Sequence, residues 1–102
     1  ISSCLPDLAP QLQAACDEGY TVEEVGKIGE RIWNMEREFN NAAGFTHKDD
    51  NLPKRLLTEP AKTGGSKGKV SMLPEMLPKY YEARGWDPEG RPTAATKTRL
   101  GL

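Results

Sequence analysis

The chain has 102 residues, with 14 Lys and Arg against 15 Asp and Glu, a net charge of −1, one His and two Cys. That length holds one domain at most, and the balanced charge gives no long-range pull toward nucleic acid or an anionic membrane surface, so neither is expected as a partner. No run approaches the roughly 18 apolar residues of a membrane span, and no charged start followed by an apolar block marks a secretion signal.

Cys4 and Cys16 supply neither the density of a disulfide scaffold nor the paired spacing of a zinc site, so a reduced cytoplasm is the expected compartment. Leu, Ile, Val and Phe account for only 18 of the 102 residues, below the roughly 20% at which a core becomes hard to build. The chain also opens at Ile1 without an initiator Met. Both features point to a piece that completes its core against something else, a fragment or a subunit.

In residues 1–20, Leu8, Leu12, Ala15 and Cys16 recur at helical spacing, with Pro10 acceptable in a first turn and Gly19 available as the stop. Thr21 and Glu24 form a capping box that opens a second helix. Val25, Ile28, Ile32, Met35 and Phe39 then make one apolar stripe over about five turns, with Trp33 on its flank and Gly44 at the end. Gly26 and Gly29 inside this helix each cost up to ~1 kcal/mol against Ala, which marks a close approach by another backbone. Asp49, Asp50, Asn51 and Pro53 announce a short helix through Leu57 that Pro60 stops. Residues 60–70, with Gly and Lys throughout 62–69, read as a flexible linker, and Val70–Met72 as coil. Pro74 opens another helix carrying Met76, Leu77, Tyr80, Tyr81 and Ala83 to Arg84, where Gly85 offers a left-handed cap and Trp86 folds back onto the last turn. Asp87, Pro88, Glu89 and Gly90 spell a tight turn, and Thr93 caps a final short helix ending at Gly101. The fold class is therefore all-α: a small irregular bundle of four to five helices with a long loop in the middle, one helical domain over residues 1–102.

Four groupings invite chemistry. Gly64, Gly65, Ser66, Lys67, Gly68 and Lys69 look like a phosphate cradle, but Thr63 and Val70 occupy the places where a phosphate loop needs Gly and a hydroxyl, and no strand precedes them. His47 lies among Thr46, Lys48, Asp49 and Asp50, but a single His is a poor zinc site, so His47 is read as exposed and Asp50 or Asn51 as a helix cap. Glu30, Arg31, Arg37 and Glu38 read as a solvated helix face, although an Arg beside a Trp can anchor a neighbour through planar hydrogen bonds. Trp33, Tyr80, Tyr81 and Trp86 read as packing between helices rather than as a stacking platform, because no basic groove accompanies them. Cys4, a lone thiol, reads as a small buried hydrophobe. No catalytic pair of nucleophile and base emerges.

The run Ile28-Gly-Glu-Arg-Ile-Trp-Asn-Met-Glu-Arg-Glu-Phe-Asn40, followed by Gly44-Phe45-Thr46, Lys48-Asp49-Asp50, Leu52-Pro53-Lys54-Arg55, Met76-Leu77-Pro78-Lys79-Tyr80-Tyr81 and Arg84-Gly85-Trp86, resembles the C-terminal region of tungsten-containing aldehyde:ferredoxin oxidoreductases. Several blocks in the same order are a specific signal, and they cover about 80 residues of the chain. The resemblance implies a parent enzyme that oxidises aldehydes to carboxylic acids. Such an enzyme would hold a tungstopterin and a [4Fe-4S] cluster and pass electrons to ferredoxin. It also implies that Cys4 is the position matching the family's fourth cluster cysteine, the other three ligands coming from N-terminal domains of the parent. On this reading the isolated chain carries no cofactor, has no activity of its own and supports the site by packing. The alternative is a stand-alone helical interaction module related to that region.

Overall fold

The computed structural model describes residues 4–102, and among them the only extended pairing is two isolated bridges, Ala61 with Lys67 and Trp86 with Pro92. Five helices follow in order: α1 Leu5–Ala15, α2 Val22–Ala42, α3 Lys54–Thr58, α4 Leu73–Arg84 and α5 Ala94–Leu100. This is the expected all-α class with its long middle loop.

α1 begins at Leu5 because Cys4 adopts an extended N-cap conformation and its backbone N–H and its thiol both donate to the Asp7 carboxylate, at 3.1 and 3.0 Å. Pro6 takes the first turn. Pro10, expected there, lies inside the helix instead and removes one ladder donor. The helix stops at Ala15, short of Gly19, whose N–H is taken up by the Asp17 side chain at 2.7 Å. Ala9 is its buried residue while Leu8 is exposed, and Cys4 is exposed rather than buried.

α2 opens as expected at Thr21, whose hydroxyl accepts from Glu24 N–H at 3.1 Å. The Thr21 N–H donates to the Gly19 carbonyl, so only half of the capping box is made by side chains. α1 crosses α2 near Gly26, where an added Cβ would stand 3.4 Å from Leu5 Cδ1; the neighbour there is a side chain, not a backbone. Beside Gly29 there is open space.

The short α3 starts after Pro53, and neither Asp50 nor Asn51 caps it. Residues 60–70 then fold back on themselves through Ala61 N–H to Lys69 O at 3.0 Å and Gly68 N–H to Ala61 O at 2.8 Å. α4 ends at Gly85, left-handed at φ 68°, and Trp86 N–H reaches back to Tyr81 O at 2.8 Å, which drops the indole onto the last turn. After the Asp87–Gly90 turn, Thr93 Oγ1 accepts from Thr96 N–H at 3.3 Å and starts α5, which ends at left-handed Gly101.

The core is small: Ala9, Tyr81, Trp86 and Leu100 are the buried apolar residues, with Asn34 and Thr96 buried among the polar ones. The radius of gyration is 17.8 Å, against ~13 Å for a compact chain of this length. The helices are therefore spread rather than closed around one centre.

Candidate functional site

A cluster of buried and half-buried polar side chains gathers residues far apart in sequence. α2 supplies Asn34, Arg37 and Asn41, the loop after it supplies Asp50, α4 supplies Tyr81, and the turn after α4 supplies Trp86 and Gly90. Arg37 makes a two-pronged pair with Asp50, Nη1 to Oδ1 at 2.7 Å and Nη2 to Oδ2 at 2.5 Å, and its Nε donates to the Gly90 carbonyl at 2.6 Å. The Tyr81 hydroxyl donates to the same Asp50 Oδ2. The guanidinium lies 4.9 Å from the Trp86 ring centre, and the Trp86 indole N–H donates to Asn34 Oδ1 at 2.8 Å. Asn34 in turn donates to the Glu30 carbonyl at 2.8 Å. Gly90, at φ +74°, permits this convergence, because a Cβ there would stand 2.2 Å from Arg37 Nη2 and 3.1 Å from the Tyr81 ring.

Each group in the cluster is held in one charge state. The hydrogen bond from Arg37 holds the Asp50 carboxyl below its usual range, aided by the bond from Tyr81, while the bond to Asp50 raises Arg37. Burial, followed by the hydrogen bond to the Asp50 carboxylate, pushes the Tyr81 phenol up to about 12. None of the three exchanges a proton in the neutral range, so the cluster cannot serve as a general acid or base there. It works as a clip that pins the loop after α2, the end of α4 and the following turn to one face of α2.

Above the clip lies an open cleft of about 390 Å³ walled by Trp33, Leu52, Leu73, Leu77 and Tyr80. Trp33 Nε1 donates to the Tyr80 hydroxyl at 2.9 Å, and Arg84 lies 5.4 and 5.2 Å from the two ring centres. Trp33 is nevertheless exposed, which corrects its reading as a core residue; Tyr81 and Trp86 are buried as expected.

The charged face of α2 also departs from expectation. Arg31 and Arg37 are half-buried and bond to distant parts of the described chain, while Glu30 and Glu38, 42% and 38% exposed, remain solvated and pair with cations of α5. Arg31 donates to the Leu100 carbonyl at 2.8 Å, Glu30 pairs with Arg99 at 2.5 Å, and Glu38 pairs with Lys97 at 2.9 Å. The Arg37–Asp50 pair, thirteen positions apart, is the contact that the sequence does not announce. The planar hydrogen bonds of Arg37 go to Asp50 and Gly90 of this same chain, with the guanidinium beside Trp86 and not Trp33.

His47 is half-buried, not exposed, and its Nδ1 is buried without a hydrogen-bond partner. It faces a second cavity of about 400 Å³ beside Pro74, Pro78 and Pro88. Asp49 accepts from Thr46 N–H at 2.8 Å in a local turn, so the His47 neighbourhood gathers no metal set. The described residues bring together no three side chains of His, Cys, Asp or Glu able to hold a metal ion. Cys4 and Cys16 are separate, exposed thiols. A four-thiolate iron–sulfur cluster therefore does not fit on these residues alone, and Cys4 can contribute one ligand at most.

Comparison with known proteins bears on all of this. The family model described as "Aldehyde ferredoxin oxidoreductase, domains 2 & 3" matches residues 3–102. The chain is 50% identical over 97 residues to the tungsten-containing aldehyde ferredoxin oxidoreductase of Pyrococcus abyssi. It is 47% identical over the same length to that of Thermococcus kodakarensis and 46% to that of Pyrococcus furiosus. Each match takes in 94% of this chain and 16% of the relative.

Proposed function

The chain belongs to the aldehyde ferredoxin oxidoreductase family, and from that premise we propose that it is a C-terminal helical part of an enzyme that oxidises aldehydes to carboxylic acids and delivers the electrons to ferredoxin. Tungstopterin and a [4Fe-4S] cluster supply the redox chemistry of such an enzyme when bound. This chain's contribution is positional. The observation that carries this reading is the clip of Arg37, Asp50, Tyr81 and Gly90. Its groups are mutually satisfied and fixed in charge, which suits a rigid support and leaves no group free to move a proton. The partners are the remaining domains of the same polypeptide, with ferredoxin as the electron acceptor.

Within this proposal Cys4 is the fourth cluster ligand. Its exposed thiol at the head of α1 supports that role, being reachable by iron held on three thiolates from elsewhere.

The test compares the full-length enzyme with the 102-residue chain in aldehyde oxidation with a dye acceptor, with tungsten and iron measured on both. Turnover and metal are expected in the full-length enzyme only. Aldehyde oxidation by the short chain, or a full-length enzyme free of tungsten, overturns the reading. Cys4→Ser in the full-length enzyme is expected to reduce the iron count while Cys16→Ser leaves it unchanged; an intact cluster signal in Cys4→Ser refutes the ligand role.

A further inference from the structure

α2 has two faces of opposite character, and this chain uses the polar one. Glu30, Arg31, Asn34, Arg37, Glu38 and Asn41, with Trp33 at their edge, carry its bonds to the rest of the described chain. At 3.6 residues per turn, Ile32, Met35 and Phe39 lie on the opposite side. They are 54%, 55% and 75% exposed. α1 covers the beginning of this apolar stripe near Gly26, and nothing described covers its second half. Gly29 borders the bare region, with no atom within 4 Å of where its Cβ would be. A helix-interior glycine weakens the helix, and its use is to let another helix approach closely.

The amount of open surface agrees. The chain exposes 7896 Å², whereas a compact 11.3 kDa protein exposes roughly 5,700 Å². The excess is larger than the ~800 Å² that each partner contributes to a standard interface. The chain spans only 16% of the length of its relatives, so most of their polypeptide lies outside the matched segment. A second copy of this chain is a poorer occupant. Glu36 sits between Gly29 and Phe39 on the same face, and a symmetric α2-to-α2 pairing centred on that stretch would bring the two Glu36 carboxylates close together.

We propose that the outward face of α2 is the seat of a helix from the remaining polypeptide of the same enzyme. That helix crosses α2 at Gly29, buries Ile32, Met35 and Phe39, and brings a Lys or Arg opposite Glu36. Anchors spaced three and four residues apart are the pattern by which one helix receives another. The inference rests on the family reading, since it takes its occupant from the longer enzyme.

The experiment uses the full-length enzyme. Phe39→Cys is reacted with a maleimide in the native state and again in guanidinium, and modification is read on the peptide containing residue 39. The native rate is expected to be at least 100-fold slower than the unfolded rate. Rates within threefold of each other overturn the proposal. Protection that disappears when the enzyme is diluted to monomers also overturns it and gives the face to a second copy. Gly29→Ala keeps the question decidable if Phe39→Cys fails to fold. On an open face the added methyl strengthens the helix and raises amide protection along α2, whereas on a docked face protection falls by tenfold or more. Tungsten content and aldehyde oxidation are measured on the unsubstituted enzyme in parallel. Their absence sinks the proposed function alone, and fast labelling in an active tungsten enzyme sinks the docking alone.

Discussion

Replacing Asp50 by Asn removes one charge from the clip with almost no change in shape. Arg37, with 12% of its side chain exposed, then keeps its charge opposite a neutral amide, and the Tyr81 hydroxyl loses an ionised acceptor. Breaking a fully buried pair from one side costs about 3–5 kcal/mol. Asp50 is 24% exposed, so water relieves part of that, and about 2–3 kcal/mol is expected here. The loss should be confined to the elements that the clip holds: the loop after α2, the end of α4 and the turn that follows it. Amide hydrogen exchange in the full-length enzyme reads it directly, because a local opening cheaper by that amount exchanges about 30- to 160-fold faster. The Trp86 amide, bonded to the Tyr81 carbonyl, is the sharpest reporter. An acceleration below threefold would place the pair among exposed ion pairs of negligible worth and refute the account of the clip. Asp50→Leu combined with Arg37→Met should recover much of the protection, since removing both charges leaves none stranded.

The same logic fixes the response to pH. Because Asp50 titrates below its ordinary 3.8 in the folded chain, its contribution is complete above that value and is lost as pH falls through the folded value; the protection of the Trp86 amide relative to an unfolded amide at the same pH should be flat from neutrality to about pH 4 and fall below it. Tyr81, raised above 10 to about 12, contributes fully below pH 10 and loses its contribution as pH climbs toward 12, so phenolate absorbance should show one of the three tyrosines ionising late and together with loosening of the clip. Gly90→Ala should be far more damaging than Gly44→Ala by the same exchange measurement. Both positions have positive φ, but only Gly90 would drive a methyl into Arg37 and Tyr81, so Gly44→Ala costs only the ~1–2 kcal/mol of backbone strain. Trp86→Phe strands Asn34 Oδ1 in a site only 2% exposed, and about 1–3 kcal/mol of local protection should be lost.

What the sequence made legible was local. The starts at Thr21 and Thr93 and the stop at Gly85 rest on bonds spanning a few residues, and they stand where spacing and cap chemistry place them. The family blocks were legible for a different reason: they are ordered words, not physics. The clip was hidden because its members are 13, 31 and 53 positions apart, and nothing periodic links Arg37 to Asp50, Asp50 to Tyr81 or Arg37 to Gly90. The face that α2 turns toward the rest of this chain was hidden for a related reason. The rule that an apolar stripe points inward supposes that the surface it meets belongs to the same chain. Here Ile32, Met35 and Phe39 stay exposed, while Asn34 and Arg37 bond to Trp86 and Gly90 in the turn after α4.

The polar side of α2 has a thermal consequence. Three ion pairs, Glu30 with Arg99, Glu38 with Lys97 and Arg37 with Asp50, join this helix to α5 and to the loop that follows it. Warming weakens the hold of water on charged groups, so bringing such pairs together grows less costly as temperature climbs, whereas the gain from hiding oily surface levels off. A joint built in this way keeps its grip in hot solution better than one of equal strength made from leucines alone.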